Sequence, residues 1–141
     1  METETKPFLK TELSQIQTTH ILVEELKSTM DHFSYITKRY HVPVTLVLIY
    51  TQEEISQQLC ESLRVSDVVE SIHINGSYFN FIFLPFTDEV NSYTFLKHFE
   101  KDKLKNIKSF VYFKELEHNI TSEYNFINSF LFEIEKKETF F

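Results

Sequence analysis

The sequence predicts an α+β fold built on one mainly antiparallel sheet, and three observations carry that prediction. Four strand-like apolar runs alternate with four helical patterns in the order α-β-α-β-β-α-β-α. An Asn75-Gly76 pair sits between two of those runs, the usual signal for a two-residue hairpin. The composition, 42% apolar and 25% charged over 141 residues, suits one packed domain rather than disorder. Residues 1–12 are polar and are expected to form a flexible tail, leaving 13–141 as a single domain without repeat or linker.

The elements follow in order. From Leu13 to Tyr40 apolar residues recur at three- to five-residue steps, which predicts a long amphipathic helix with a possible break at Thr18-Thr19. Pro43 ends it, because proline lacks the N–H that the ladder needs and holds Val42 extended. Val44 to Tyr50 is continuously β-branched or apolar, as in a central strand covered on both faces. Thr51 is expected to cap a short helix with Glu53 and Glu54 in its first turn and Ile55, Leu59, Cys60 and Leu63 inward. The hairpin Val68–Ile74, Asn75-Gly76, Ser77–Leu84 pairs Ile72 with Phe79 and Val68 with Phe83, and puts His73 beside Tyr78. A helix from Asp88 to about Lys103 has Val90, Tyr93, Phe95, Leu96 and Phe99 as its apolar positions, with lysines around its end. Ser109–Phe113 reads as a strand. Ser122 caps a last helix with Phe126, Ile127, Phe130, Leu131 and Ile134 inside.

Composition removes several function classes. One glycine cannot supply a phosphate-cradling loop, and one cysteine rules out an intramolecular disulfide or a multi-cysteine zinc motif. A formal charge of −7 has the wrong sign for binding nucleic-acid phosphates. Fifteen Phe and seven Tyr read as core and interface, since no basic residues interleave with Ser77–Phe83 to make a base-stacking platform. No basic segment followed by an apolar stretch opens the chain, and no apolar run approaches a bilayer span, so a cytoplasmic location is expected, with no membrane partner. The triplets Asn75-Gly-Ser and Asn119-Ile-Thr are accordingly read as accidental. The six histidines make no HxxxH or HExxH spacing; His20 and Glu24 read as a surface pair and Cys60 as a buried, inert thiol. No catalytic constellation, metal site or cofactor is expected.

After its leading helix the chain has the β-α-β-β-α-β order of ferredoxin-like folds, shared by nucleotide cyclase and polymerase palm domains. Its segments resemble the GGDEF domain of diguanylate cyclases. Leu13-Ser-Gln-Ile16 with Thr18-Thr19 is similar to the family's opening D-x-L-T-G-L-x-N-R, with Thr11 at the Asp position. Pro43–Ile49 is similar to the first strand, Leu63-Arg-Val-Ser-Asp-Val-Val69 to the L-R-x-x-D segment before the signature hairpin, and Phe81–Asp88 to the strand with its L-P-x-T-D exit.

The departures fall on the chemistry. Where the family has a magnesium-binding Asp, this chain has Tyr50-Thr-Gln52, and neither a phenol nor an amide replaces a carboxylate on a hard cation. The signature turn becomes Asn75-Gly-Ser-Tyr-Phe79, without an acid. The thirteen residues 51 to 63 hold one helix where the family has two and its guanine-reading residues. The resemblance therefore implies a catalytically inactive GGDEF-like module with a regulatory or protein-interaction role, pairing with a protein partner or with itself.

One family motif is retained, Arg64-Val-Ser-Asp67, and two readings of it stand. The resemblance implies a cyclic di-GMP site, where arginine clamps a phosphate or guanine edge and aspartate accepts from guanine donors. The local reading is a helix-terminal arginine and an aspartate that closes a turn.

Overall fold

The computed structural model describes residues 15–116 and 122–139. The tail, Thr11, Leu13 and the Asn119 triplet lie outside them. The elements are α1 (Gln15–Tyr40), β1 (Val44–Thr51), α2 (Ser56–Ser62), β2 (Val68–Ile74), β3 (Ser77–Pro85), α3 (Glu89–Lys103), β4 (Ser109–Glu115) and α4 (Glu123–Thr139). The strands form one antiparallel sheet in the order β2-β3-β1-β4, so the α+β, palm-like architecture is the observed one.

Each sheet face carries its own core. Alternate residues of β1 and β3 (Leu46, Leu48, Tyr50, Phe81, Phe83) meet Leu22, Leu26 and Met30 of α1 and Ile127, Phe130 and Leu131 of α4. Val47, Ile49 and Ile82 point the other way, onto Ile55 just before α2, Leu59 of α2, and Leu96 and Phe99 of α3. All eight residues of β1 are buried, because a central strand with helices on both sides has no solvent face. The hairpin closes as the sequence predicts. Asn75 at φ 49 and Gly76 at φ 83 are both left-handed, as a type I′ turn needs. The register is Val68 with Phe83, Ile72 with Phe79 and His73 with Tyr78.

Several local expectations need correction. Thr51 is the last residue of β1, paired with both Tyr78 and Ser109, and its hydroxyl donates to the Glu53 carbonyl instead of capping a helix. α2 consequently begins at Ser56 without a side-chain cap. Cys60 is exposed: Leu59 faces the core, and the next residue lies about 100° further round the helix. α1 runs unbroken through Thr18 and Thr19, both buried, with the Thr19 hydroxyl donating to Asn128 of α4, while Ile16, Ile21 and Tyr40 are exposed. In α3 the inward stripe is Ser92, Leu96 and Phe99, at four- and three-residue steps, so Val90 and Tyr93 face solvent.

Candidate functional site

The turn between α2 and β2 closes on itself. The Arg64 backbone N–H donates to Asp67 Oδ2 at 2.8 Å, and the Asp67 N–H donates to the Arg64 carbonyl at 3.1 Å. The Arg64 side chain folds over the same carboxylate, with Nε at 3.1 and 3.2 Å from its two oxygens and Nη2 at 2.7 Å from Oδ1. Nη2 also reaches across to the exit of β3, 2.9 Å from the Pro85 carbonyl and 2.9 Å from Thr87 Oγ1. The Asp67 side chain is only 2% exposed and that of Arg64 53%. The hydrogen bond that Arg64 donates to Asp67 raises the Arg64 pKa further above its already high value, so the guanidinium is a permanent cation.

The two residues predicted from the sequence are thus brought together, but with unequal access. Both Asp67 oxygens are engaged by Arg64, whereas Arg64 Nη1 takes part in none of these bonds and the side chain is half exposed. Beside them opens a cleft of about 300 Å³ lined by Arg64, Asp67, Phe86, Thr87, Asn91 and Phe95. This places it at the small end of ligand-site sizes. α3 frames one wall: Asp88 caps the helix by accepting from the Asn91 backbone at 2.9 Å, and its Oδ1 also holds the Asn91 side chain at 3.0 Å. Sequence reasoning missed Phe86, Thr87, Asn91 and Phe95. Only the L-P-x-T-D exit hinted at the first two, since it fixes Phe86 and Thr87 just after β3.

At the far end of β1, where the resemblance expects a metal carboxylate, Tyr50 is buried. Its hydroxyl lies 2.8 Å from Ser77 Oγ and its ring is tilted against Phe79 at 5.2 Å. On the other sheet face Asn80 donates to the Ile49 carbonyl at 2.9 Å and accepts from Ser71 at 2.6 Å. His73 stacks flat on Tyr78 at 4.2 Å, the cross-strand contact expected of that pair. The His20 ring packs on Tyr124 at 4.9 Å. Among the described residues no three His, Cys, Asp or Glu side chains converge to hold a metal ion, and no helix is long and apolar enough to cross a membrane.

Fold and site together define a palm-like α+β domain with an arginine-anchored surface cleft. No protein-family model matches the chain, and no curated protein matches it by sequence. Solved structures do. The PelD 158-CT fragment from Pseudomonas aeruginosa PAO1 aligns with TM-score 0.59 and 16% identity over 81% of this chain and 46% of that one. The same fragment in complex with c-di-GMP aligns at 0.58 and 17%, over 77% and 43%. PelD 156-455 from P. aeruginosa PA14, also in complex with c-di-GMP, aligns at 0.54 and 15%, over 82% and 48%. The chain spans just under half the length of these structures. At such identity the likeness is one of fold, and it supports the GGDEF-like fold.

Proposed function

We propose that this domain is a catalytically inactive GGDEF-like module that regulates a signalling partner by receiving cyclic di-GMP at the Arg64 cleft. The observation that carries the reading is the Arg64 guanidinium, fixed by Asp67, Pro85 and Thr87, half exposed and lining the cleft. A half-exposed, pre-positioned guanidinium suits a phosphate oxygen or the O6 and N7 acceptors of guanine. Holding it in place in advance removes an ordering cost that binding would otherwise carry. Asp67 has its lone pairs committed to Arg64, so in this arrangement it positions the arginine and leaves the ligand to it. The PelD structures of similar fold that are in complex with c-di-GMP support the ligand class.

Inactivity is supported by the residues that stand where catalysis would occur. Tyr50 is packed into the core and bonded to Ser77, and the segment from Gln52 to Leu63 builds one seven-residue helix. Incubation with GTP and magnesium is expected to give no dinucleotide product.

Calorimetry with cyclic di-GMP tests the receptor. Wild type should bind, and Arg64→Lys, which keeps a cation for Asp67 but loses the planar guanidinium fork, should bind at least ten-fold more weakly, as expected for a charge-assisted contact worth about 1.5–3 kcal/mol. Circular dichroism must show the variant folded. Absence of heat with wild type at high protein concentration would refute the reading. The protein-interaction role rests on Ile16, Tyr35 and Tyr40, which α1 leaves exposed while its stripe of Leu22, Leu26, Met30 and Phe33 builds the core. Light scattering of the intact chain with and without cyclic di-GMP reads out self-pairing.

A further inference from the structure

Phe86 is placed unlike any other aromatic of the cleft. It follows β3 with φ 60, and it is 66% exposed. The other described non-glycine residues with positive φ are His41 and Asn75, types that tolerate the left-handed region. A phenylalanine there is a steric outlier. The chain on both sides is pinned. The Pro85 carbonyl accepts from Arg64 Nη2 at 2.9 Å and from the Thr87 hydroxyl at 3.1 Å. The Thr87 N–H donates to the Pro43 carbonyl at 3.3 Å, and its carbonyl accepts from the Thr45 hydroxyl at 2.8 Å. Four hydrogen bonds therefore hold a turn suited to glycine or asparagine, and what the turn presents to water is a phenyl ring at the lip of the Arg64 cleft. Neither the strain nor the exposed ring benefits the free protein. Both have a physical purpose if a flat apolar surface arrives from outside.

We propose that Phe86 is the stacking wall of the cleft, its ring covering the face of a guanine base whose O6 and N7 acceptors meet the half-exposed guanidinium of Arg64. The proposal rests on the reading of the cleft as a cyclic di-GMP site and adds how the base is held and selected. Stacking tolerates any purine, because every base has a π face. Selection falls to Arg64, since guanine offers two acceptors on that edge whereas adenine offers one acceptor and one donor.

The test uses wild type, Phe86→Gly and Phe86→Trp with cyclic di-GMP and cyclic di-AMP as probes. Phe86→Gly suits the left-handed turn, so its melting temperature should stay level or rise while affinity for cyclic di-GMP falls roughly 5- to 150-fold, the usual worth of one base–aromatic stack. The chain has no tryptophan, so Phe86→Trp introduces a single indole, whose emission a stacked guanine should quench. Cyclic di-AMP should bind wild type more weakly than cyclic di-GMP. Equal affinity of wild type and Phe86→Gly, or an unquenched indole in a variant that binds, overturns the stacking wall and leaves the receptor reading standing. A melting temperature lowered by several degrees in Phe86→Gly assigns the ring a structural role and also overturns it. Equal binding of the two dinucleotides overturns the selection by Arg64. No binding by wild type removes receptor and wall together.

Discussion

Arg64 and Asp67 are bonded to each other, yet they are not equivalent. Asp67 is nearly sealed from water and Arg64 is half in it. Removing the aspartate lets the guanidinium turn outward and be hydrated, so Asp67→Ala should cost roughly 1.5–3 kcal/mol, the worth of a hydrogen bond to a charged group. Removing the arginine leaves a carboxylate inside the fold with only the Arg64 backbone N–H to answer it. Arg64→Ala should therefore cost more, about 3 kcal/mol or above, as for a buried pair broken on one side. Urea unfolding of the two single variants and the double variant checks the order. Equal costs for the two singles would show that Asp67 is better solvated than its burial indicates. This asymmetry was not legible in the sequence. The three-residue spacing of Arg64 and Asp67 is plain to read, but whether the side chains point to a ligand or to each other depends on a turn whose closure involves Pro85 and Thr87, twenty residues on. Phe86 was hidden for the same reason, since aromatic residues in a phenylalanine-rich chain read as core until the backbone angle is known.

Elements whose geometry is set locally were readable. Asn75-Gly76 fixes a two-residue turn, and the turn fixes the register of every pair in the hairpin. α4 was equally clear, with all five expected inward residues buried and Ser122 Oγ accepting from the Asn125 N–H at 3.1 Å. α2 and α3 were less so, because a seven-residue helix has too few turns to define a stripe and the ladder of β1 claims Thr51 first. The seam between α1 and α4 carries the next prediction. Lys27 Nζ lies 3.1 Å from Asp31 and 3.6 Å from Glu123. Burial, with a hydrogen bond shared with Asp31, pushes the Glu123 pKa up, whereas the hydrogen bond from Lys27 holds Asp31 below the usual carboxylate range. A raised carboxyl contributes stability that is complete below its unfolded pKa and fades as pH rises through the folded one; a lowered one contributes above its unfolded pKa and is lost as pH falls through the folded one. Glu123 should thus make the protein gain stability as pH falls through its raised pKa toward the ordinary carboxylate value, with the Asp31 contribution failing only further down. Melting temperatures across that range should show the gain in wild type and not in Glu123→Gln. Parallel profiles would show that the seam does not titrate.

At the scale of the whole molecule the sheet order leaves two edges, β2 and β4, and open strand edges are templates for pairing with another chain. Along β4 two backbone groups are occupied by side chains from within the domain. The Lys137 ammonium, at the end of α4, donates to the Val111 carbonyl, and Glu89, in the first turn of α3, accepts from the Glu115 N–H at 2.9 Å. The two helices come from opposite faces of the sheet, so each face sends one charged side chain over the same edge. Burial lowers the Lys137 pKa, a cost consistent with an ammonium drawn in to serve a carbonyl. Beside that edge runs an open cleft of about 480 Å³ with Tyr93, Phe110 and Phe113 in its wall, apolar surface that an incoming strand would cover. Glu89→Ala combined with Lys137→Ala uncovers the edge while leaving both cores intact. Light scattering over a roughly hundred-fold concentration range should then show larger species than wild type forms, increasing with concentration, while circular dichroism of the dilute protein stays native. If the double variant matches wild type at every concentration, the twist of β4 and not these two charges keeps the edge closed.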